Sequence, residues 1–259
     1  NRPAYPLSAL YRGKRVAAPQ IFIIFQTAKA AYSKFRKGKH KMSKKPSDNE
    51  YFWNRRSRVY DDQVWKVYKK AYKKTVKRTL PYLNQEAKVL DFGCGTGNTT
   101  IPISQNVREI VAIDTSEEMM EKAVQKAAGE GCRNITFCHT DLMNFSGEPE
   151  GFDVVTAFNV LLYLSDRDQV LEKIWSLLKP GGVFISATDC LGRSFSRDSV
   201  KKFVKSKLHL MPYVAFDTPI GLMRKIQKKG FLVLEIVNLH KNPPNIFIVA
   251  QKIDDRDDT

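Results

Sequence analysis

The chain has 259 residues, 42% hydrophobic and 27% charged, with a formal net charge of +16. That balance supports a sizeable core and excludes global disorder. Four scattered cysteines (Cys94, Cys132, Cys138, Cys190) exclude a disulfide scaffold, and the longest apolar stretch near the N-terminus, Ile21 to Phe25, is far short of the ~20 residues of a membrane span.

The charge sits at one end. Residues 1–47 carry 12 Lys/Arg and no acid, residues 48–88 carry 11 basic and 5 acidic residues, and residues 89–259 carry 20 and 22. Three readings of the arm compete. It is an organelle-targeting peptide over residues 1–41, an electrostatic tether for nucleic acid or an anionic membrane, or an extraneous leader before a start at Met42. The expected organisation is a disordered or extraneous basic leader over 1–47, a helical segment over 48–87 that covers the site, a main domain over 88–253, and an acidic tail over 254–259. With no Cys/His spacing that suggests zinc, a cytoplasmic, reducing setting and no metal are expected.

Residues 51–80 place Phe52, Trp53, Tyr60, Val64, Tyr68, Ala71 and Tyr72 at spacings near three and four, which predicts a helix ended by Pro81. From residue 88 the pattern alternates between strands and helices. Strands are expected over 88–91, 109–113, 135–138, 152–158 and 183–188, with helices over 116–128 and 166–178, the second closed by Pro180-Gly181-Gly182. Ser116 is the expected N-cap of the first of these helices. This rhythm predicts an α/β fold, a parallel sheet with helices on both faces. Two last strands, over 232–239 and 246–251, are joined too tightly for a parallel crossover and should be antiparallel.

The strongest local signal is Val89-Leu90-Asp91-Phe92-Gly93-Cys94-Gly95-Thr96-Gly97. A strand delivers a carboxylate into three alternate glycines, which suit positive φ and close approach of a ligand. The spacing departs from the dinucleotide GxGxxG, and no Gly-Lys-Ser/Thr ending offers a phosphate cradle. Asp91 would repel a pyrophosphate and favour a cation. Asp114 ends the second strand, where a carboxylate can accept from both ribose hydroxyls, and Asp141 follows the third. Acids after three successive strands describe a pocket for a nucleoside with cationic groups, and S-adenosylmethionine, with its sulfonium and ammonium, matches.

With the further motifs IVAIDTSEEMM (110–120), HTDLMNF (139–145), FDVVTAFNVLLYL (152–164) and LLKPGGVFISATDC (177–190), the chain resembles the class I S-adenosylmethionine-dependent methyltransferases, in the broad small-molecule and quinone-pathway group, from about Tyr51 to Lys252. The resemblance implies a Rossmann-like, seven-stranded, mostly parallel sheet whose last strand is antiparallel. It places Gly93, Gly95 and Gly97 along the methionine part of the cofactor, with Asp91 near its ammonium or an ordering water. Asp114 would bind the ribose, and Thr115 and Met119 would line the adenine side. Asp141 would accept from the adenine amino group, with Leu142 packed on the ring. Phe158 and Asn159 would lie beside the methionine moiety, and Tyr60 would cover the cofactor.

Methyl transfer from a sulfonium has a neutral leaving group, so positioning can supply most of the catalysis and no catalytic side chain is assigned. His139, His209 and His240 read as structural. A lid over 189–219, rich in apolar residues such as Phe195, Phe203, Leu210 and Met211, should shape an apolar acceptor site. The expected acceptor is a small molecule. The alternatives are an RNA or other macromolecule methyltransferase gripping through the basic arm, and a silent binding module. Nucleic acid is disfavoured because Asn159-Val160-Leu161-Leu162 stands where base-amine methyltransferases carry Asn/Asp-Pro-Pro-aromatic; Asn242-Pro243-Pro244-Asn245 reads as a turn.

Overall fold

The computed structural model describes residues 48–193, 197–208 and 210–253. The expected leader over 1–47, the acidic tail, Phe195 and His209 lie outside the described residues. The strands are β1 (Lys88–Phe92), β2 (Glu109–Asp114), β3 (Ile135–His139), β4 (Phe152–Phe158), β5 (Leu178–Asp189), β6 (Phe231–Lys241) and β7 (Pro244–Lys252). They form one seven-stranded sheet in the order β3-β2-β1-β4-β5-β7-β6. β1 through β5 pair in parallel, and β7 runs antiparallel to both β5 and β6. The predicted fold class is therefore observed.

Burial follows strand position. β4 and β7 lie inside the sheet with helices on both faces and are buried along nearly their whole length. β6 is an edge strand and alternates, with Leu232, Leu234 and Ile236 exposed. One core face packs β strands against α5 (Arg167–Leu177) and α7 (Pro219–Gln227) through Leu171, Ile174, Leu222 and Ile226. The other packs them against α2 (Lys69–Thr79), α3 (Thr100–Ser104) and α4 (Glu117–Gly129) through Ala71, Ile103 and Met120.

Two boundaries differ from the sequence reading. The helix expected over 51–80 is two, α1 (Asp48–Val67) and α2, bent at Tyr68, which sits at φ −112° and ψ 8°. Backbone bonds still cross the bend, from Tyr68 N to Val64 O and from Tyr72 N to Tyr68 O. With no Pro or Gly there and apolar residues on both sides, the periodicity carried no sign of the break. The second difference is the Pro-Gly-Gly stretch, which lies inside β5 rather than closing the preceding helix. Phe152 pairs with Leu178 while Val154 pairs with Val183, so residues 179–182 bulge out, with Gly181 at φ +71°.

Phe184 is fully buried at the centre of β5, beside Phe231 at 5.8 Å between ring centroids. Phe184→Ala is expected to cost about 3–5 kcal/mol in urea unfolding, because the cavity cannot collapse between two covered faces.

Candidate active site

The carboxyl ends of β1, β2 and β4 open on one rim, and the turn Gly93–Gly97 leaves β1 there. Gly93, Gly95 and Gly97 have φ of +75°, +54° and +77°. Their surroundings differ. A Cβ on Gly93 would meet Val160 Cγ2 at 2.8 Å, and one on Gly97 would meet Ala123 Cβ at 3.2 Å, so both are close-packing glycines. A Cβ on Gly95 would meet nothing within 4 Å, so Gly95 marks where the loop borders open space that a ligand can enter.

Two aspartates hold this turn. Asp91 is 1% exposed; its Oδ2 accepts from Thr100 Oγ1 at 2.5 Å and its Oδ1 from Thr156 Oγ1 at 2.7 Å. It therefore joins β1, β4 and α3, with both oxygens engaged inside the protein. Burial pushes its carboxyl up to about 6, opposed by the two hydroxyls and reinforced by the nearby Asp114. Asp114 lies at the rim. Its Oδ2 accepts from Gly95 N and its Oδ1 from Ser116 N, both at 2.8 Å. Burial raises its pKa against these two bonds.

The remaining expected residues fall into two groups. Ser116 caps α4 as predicted, its hydroxyl accepting from Met119 N, and Met119 is buried. The Thr115 carbonyl accepts from His139 Nε2 at 2.8 Å, which gives that histidine a structural partner. His240 is likewise tied, to the Pro243 carbonyl at 3.1 Å. Asp141 turns into its own loop, accepting from Asn144 N at 2.8 Å and Asn144 Nδ2 at 2.6 Å. Leu142 is fully buried, in the same apolar core as Ile113 and Phe92. Glycines, Asp114, Ser116 and Tyr60 thus gather on the rim, while Asp91 and Leu142 lie beneath it.

Helix α1 crosses this rim. Asn54 Oδ1 accepts from Ser116 Oγ at 2.7 Å, and Ser57 Oγ donates to Glu118 Oε2 at 3.0 Å. Asp61 accepts from Thr96 Oγ1 at 2.6 Å and Asn98 Nδ2 at 3.0 Å, and pairs with Lys126 at 2.8 Å. Burial works to raise the Asp61 pKa, but Lys126 and these donors leave it lowered. Tyr60 on the same helix shares a hydrogen bond with Tyr72 at 3.0 Å. At the end of β4, Asn159 Oδ1 accepts from Asn245 Nδ2 at 2.9 Å. The same Asn245 amide donates to Asp189 at 2.8 Å. Asn159 sits at φ +59°, a left-handed conformation that points the strand end into this chain of polar groups. Burial raises the Tyr60, Tyr72 and Tyr163 hydroxyls, so all three stay neutral at physiological pH.

Beyond Trp53, on the other side of α1, lies a cavity of about 260 Å³. Phe52, Trp53, Tyr68 and Tyr163 give it aromatic walls, and Arg56, Lys201, Lys202 and Lys205 line it with cations. Trp53 meets Tyr163 edge-on at 4.9 Å and Tyr60 at 6.2 Å, so one ring borders both the cavity and the rim. The cavity lies partly under residues 189–219, and four of its twelve lining residues are cationic, three of them lysines of α6 (Arg197–Lys207). Among the described residues, no cluster of three or more His, Cys, Asp or Glu is placed to hold a metal.

Asn54, Asp61, Tyr72, Asn245 and Arg56 went unassigned in the sequence. Asp61 follows Tyr60 in a polar stretch, and Asn245 looked like part of a turn; only packing brings them to the rim.

Residues 89–182 match the sequence model of a family described as a methyltransferase domain. A tRNA 5-carboxymethoxyuridine methyltransferase of Escherichia coli K12 is 33% identical over 38% of this chain and 39% of its own length. A ubiquinone biosynthesis O-methyltransferase of Aeromonas salmonicida is 28% identical over 64% of this chain and 72% of its own. The chain spans about half or less of the length of the first curated relatives it matches. A Haemonchus contortus phosphoethanolamine N-methyltransferase 2 in complex with phosphomonomethylethanolamine and S-adenosylhomocysteine superposes with a TM-score of 0.65 at 16% identity, over 80% of this chain and 61% of that one.

The pH dependence of Asp91 is testable. The folded chain holds this proton more tightly than the unfolded chain does, so the wild type loses stability as pH rises from about 4 through about 6. Asp91→Asn lacks this term. Its stability relative to wild type should rise across that window by about 3 kcal/mol, then level off above it, in thermal melts taken from pH 4 to 8. Parallel melting curves at every pH would refute the assignment.

Proposed function

We propose that this chain, whose residues 89–182 form a class I S-adenosylmethionine-dependent methyltransferase domain, transfers a methyl group to a small molecule held in the cavity between α1 and α6. The observation that carries the reading is the double use of α1. Its Asn54, Ser57 and Asp61 tie to the glycine turn and α4, while its Phe52, Trp53 and Arg56 line the cavity. A cofactor on the rim and an acceptor in the cavity would then face each other across Trp53 and Tyr60.

The residues on the rim fit the cofactor of this family. Open space beside Gly95 admits a ligand against the backbone, and Asp114 presents a carboxylate at the end of β2. S-adenosylmethionine supplies an electrophilic methyl group on a sulfonium. Asp114 would accept from the ribose, the Gly93–Gly97 backbone and Asn159 would border the methionine part, and Met119 and Thr115 would line the adenine side. Tyr60 and Trp53 would exclude water from the path between the two ligands. The neutral phenols of Tyr60 and Tyr163 can donate hydrogen bonds but not remove a proton at neutral pH. Rate enhancement therefore rests on alignment of the acceptor.

Aromatic walls and four cations favour an acceptor with a planar apolar body and a negative group. The cavity volume is that of a metabolite rather than an RNA stem. The quinone-pathway relative supports a small acceptor, and the tRNA methyltransferase relative keeps RNA as the second reading.

Calorimetry with S-adenosylmethionine tests the cofactor half. Asp114→Ala is expected to weaken binding by about 10- to 100-fold, the worth of hydrogen bonds to a charged group; undiminished affinity would overturn the assignment. Label from the methyl-labelled cofactor should enter the small-molecule fraction of a cell extract. Lys205→Ala should raise KM for that acceptor about tenfold while kcat stays within twofold, since it removes uniform binding. Label confined to the RNA fraction would favour the second reading.

A further inference from the structure

Helix α6 is amphipathic and faces the wrong way for a soluble protein. Its inner side is polar: Lys202 lies 3.6 Å from Asp189, and the Ser206 hydroxyl accepts from Val214 N at 3.1 Å. Its outer side is apolar. Val200, Phe203 and Val204 are 48%, 45% and 46% exposed, followed on the same face by Leu208 at 61% and then by Leu210 at 65%. The helical turn continues to Leu208, whose amide donates to Val204 O at 2.9 Å. Residues 200, 203, 204 and 208 share one face at helical spacing, with Lys207 set among them over the Phe203 ring. Phe216 extends it by stacking edge-on against Phe203 at 5.2 Å.

A contiguous apolar stripe of this kind marks an interaction surface. Charge identifies the partner. Exposed Lys201 and Lys205 border the stripe, and Lys207 stands within it, its ammonium 5.8 Å from the Phe203 ring centroid. Asp198 is the single acid of the helix. Arg56 of α1 adds a further cation to the cavity lining. Lysines around a short apolar face describe an interfacial helix, with apolar burial and attraction to anionic headgroups acting together.

We propose that the outer face of α6, with Leu208 and Leu210, docks on an anionic lipid bilayer. Because Lys201, Lys205 and Leu210 also line the cavity, docking sets the cavity mouth at headgroup level. An acceptor dissolved in the bilayer would enter without passing through bulk water.

Full-length protein is sedimented with vesicles of phosphatidylcholine alone, or with ~30% phosphatidylglycerol. It should bind the anionic vesicles at least about tenfold more tightly than the neutral ones and be released as salt rises to ~0.5 M. Val204→Glu with Leu208→Glu should lower that affinity at least about tenfold with unchanged circular dichroism, and Val204→Ala with Leu208→Ala should give an intermediate loss. The proposal falls if wild type binds neither vesicle, or both equally. It falls if the glutamate pair binds as well as wild type, which would assign attachment to residues 1–47. It also falls if the chain is a dimer that the glutamate pair separates, which would assign the stripe to a second copy. Should the glutamate pair unfold, undiminished binding by the alanine pair overturns the proposal equally.

Discussion

Asp91 is the point on which the rim depends. Its two oxygens are satisfied by Thr156 on the neighbouring strand and Thr100 at the start of α3, so the end of β1 and the helix after the glycine turn are fastened to one buried group. A carboxylate out of water is costly unless its lone pairs are filled, and here the filling is what sets the path of the loop. Asp114 then takes the Gly95 amide, which fixes the one glycine of this turn that borders open space. The two acids have unequal work: one organises the turn from beneath, the other faces whatever lies against it.

Helix α1 extends this logic outward. It is joined to the turn and to α4 by side-chain bonds from Asn54, Ser57 and Asp61. Such a seam is directional and holds α1 in register with the loop it covers. It also places Trp53 and Tyr60 between the rim and the cavity, a position that a cover packed only through apolar contacts would reach with less precision. Tyr60 ties the cover to Tyr72 of α2, and Asn245 ties Asn159 at the end of β4 to Asp189 at the end of β5.

The cavity and the outer face of α6 belong to one surface. Lys201 and Lys205 line the cavity while remaining exposed, and apolar side chains that would ordinarily be buried face outward. This arrangement goes with one helix orientation, in which Lys202 lies against Asp189 and Ser206 against the Val214 amide. A small acceptor with a negative group and a bilayer with negative headgroups are different ligands, yet the same lysines suit both.

Much of the architecture was legible in the sequence because strand burial and helix periodicity are local signals. Continuous apolar runs announced β4 and β5, Ser116 announced the start of α4, and the tight connection after residue 239 required antiparallel strands. The glycine turn announced a ligand loop because positive φ is written directly in residue type. The bend at Tyr68 was not legible, since the apolar periodicity passes through it unbroken. Nor was the bulge at 179–182, which depends on the register against β4. The sequence alone determined that three acids follow three strands; tertiary structure decided that Asp91 serves two threonines, that Asp114 serves the turn, and that Asp141 serves Asn144. The reason is physical: residue type specifies what a group can bond, but the partners come from elements far apart in the chain and exist only once the sheet has brought them together.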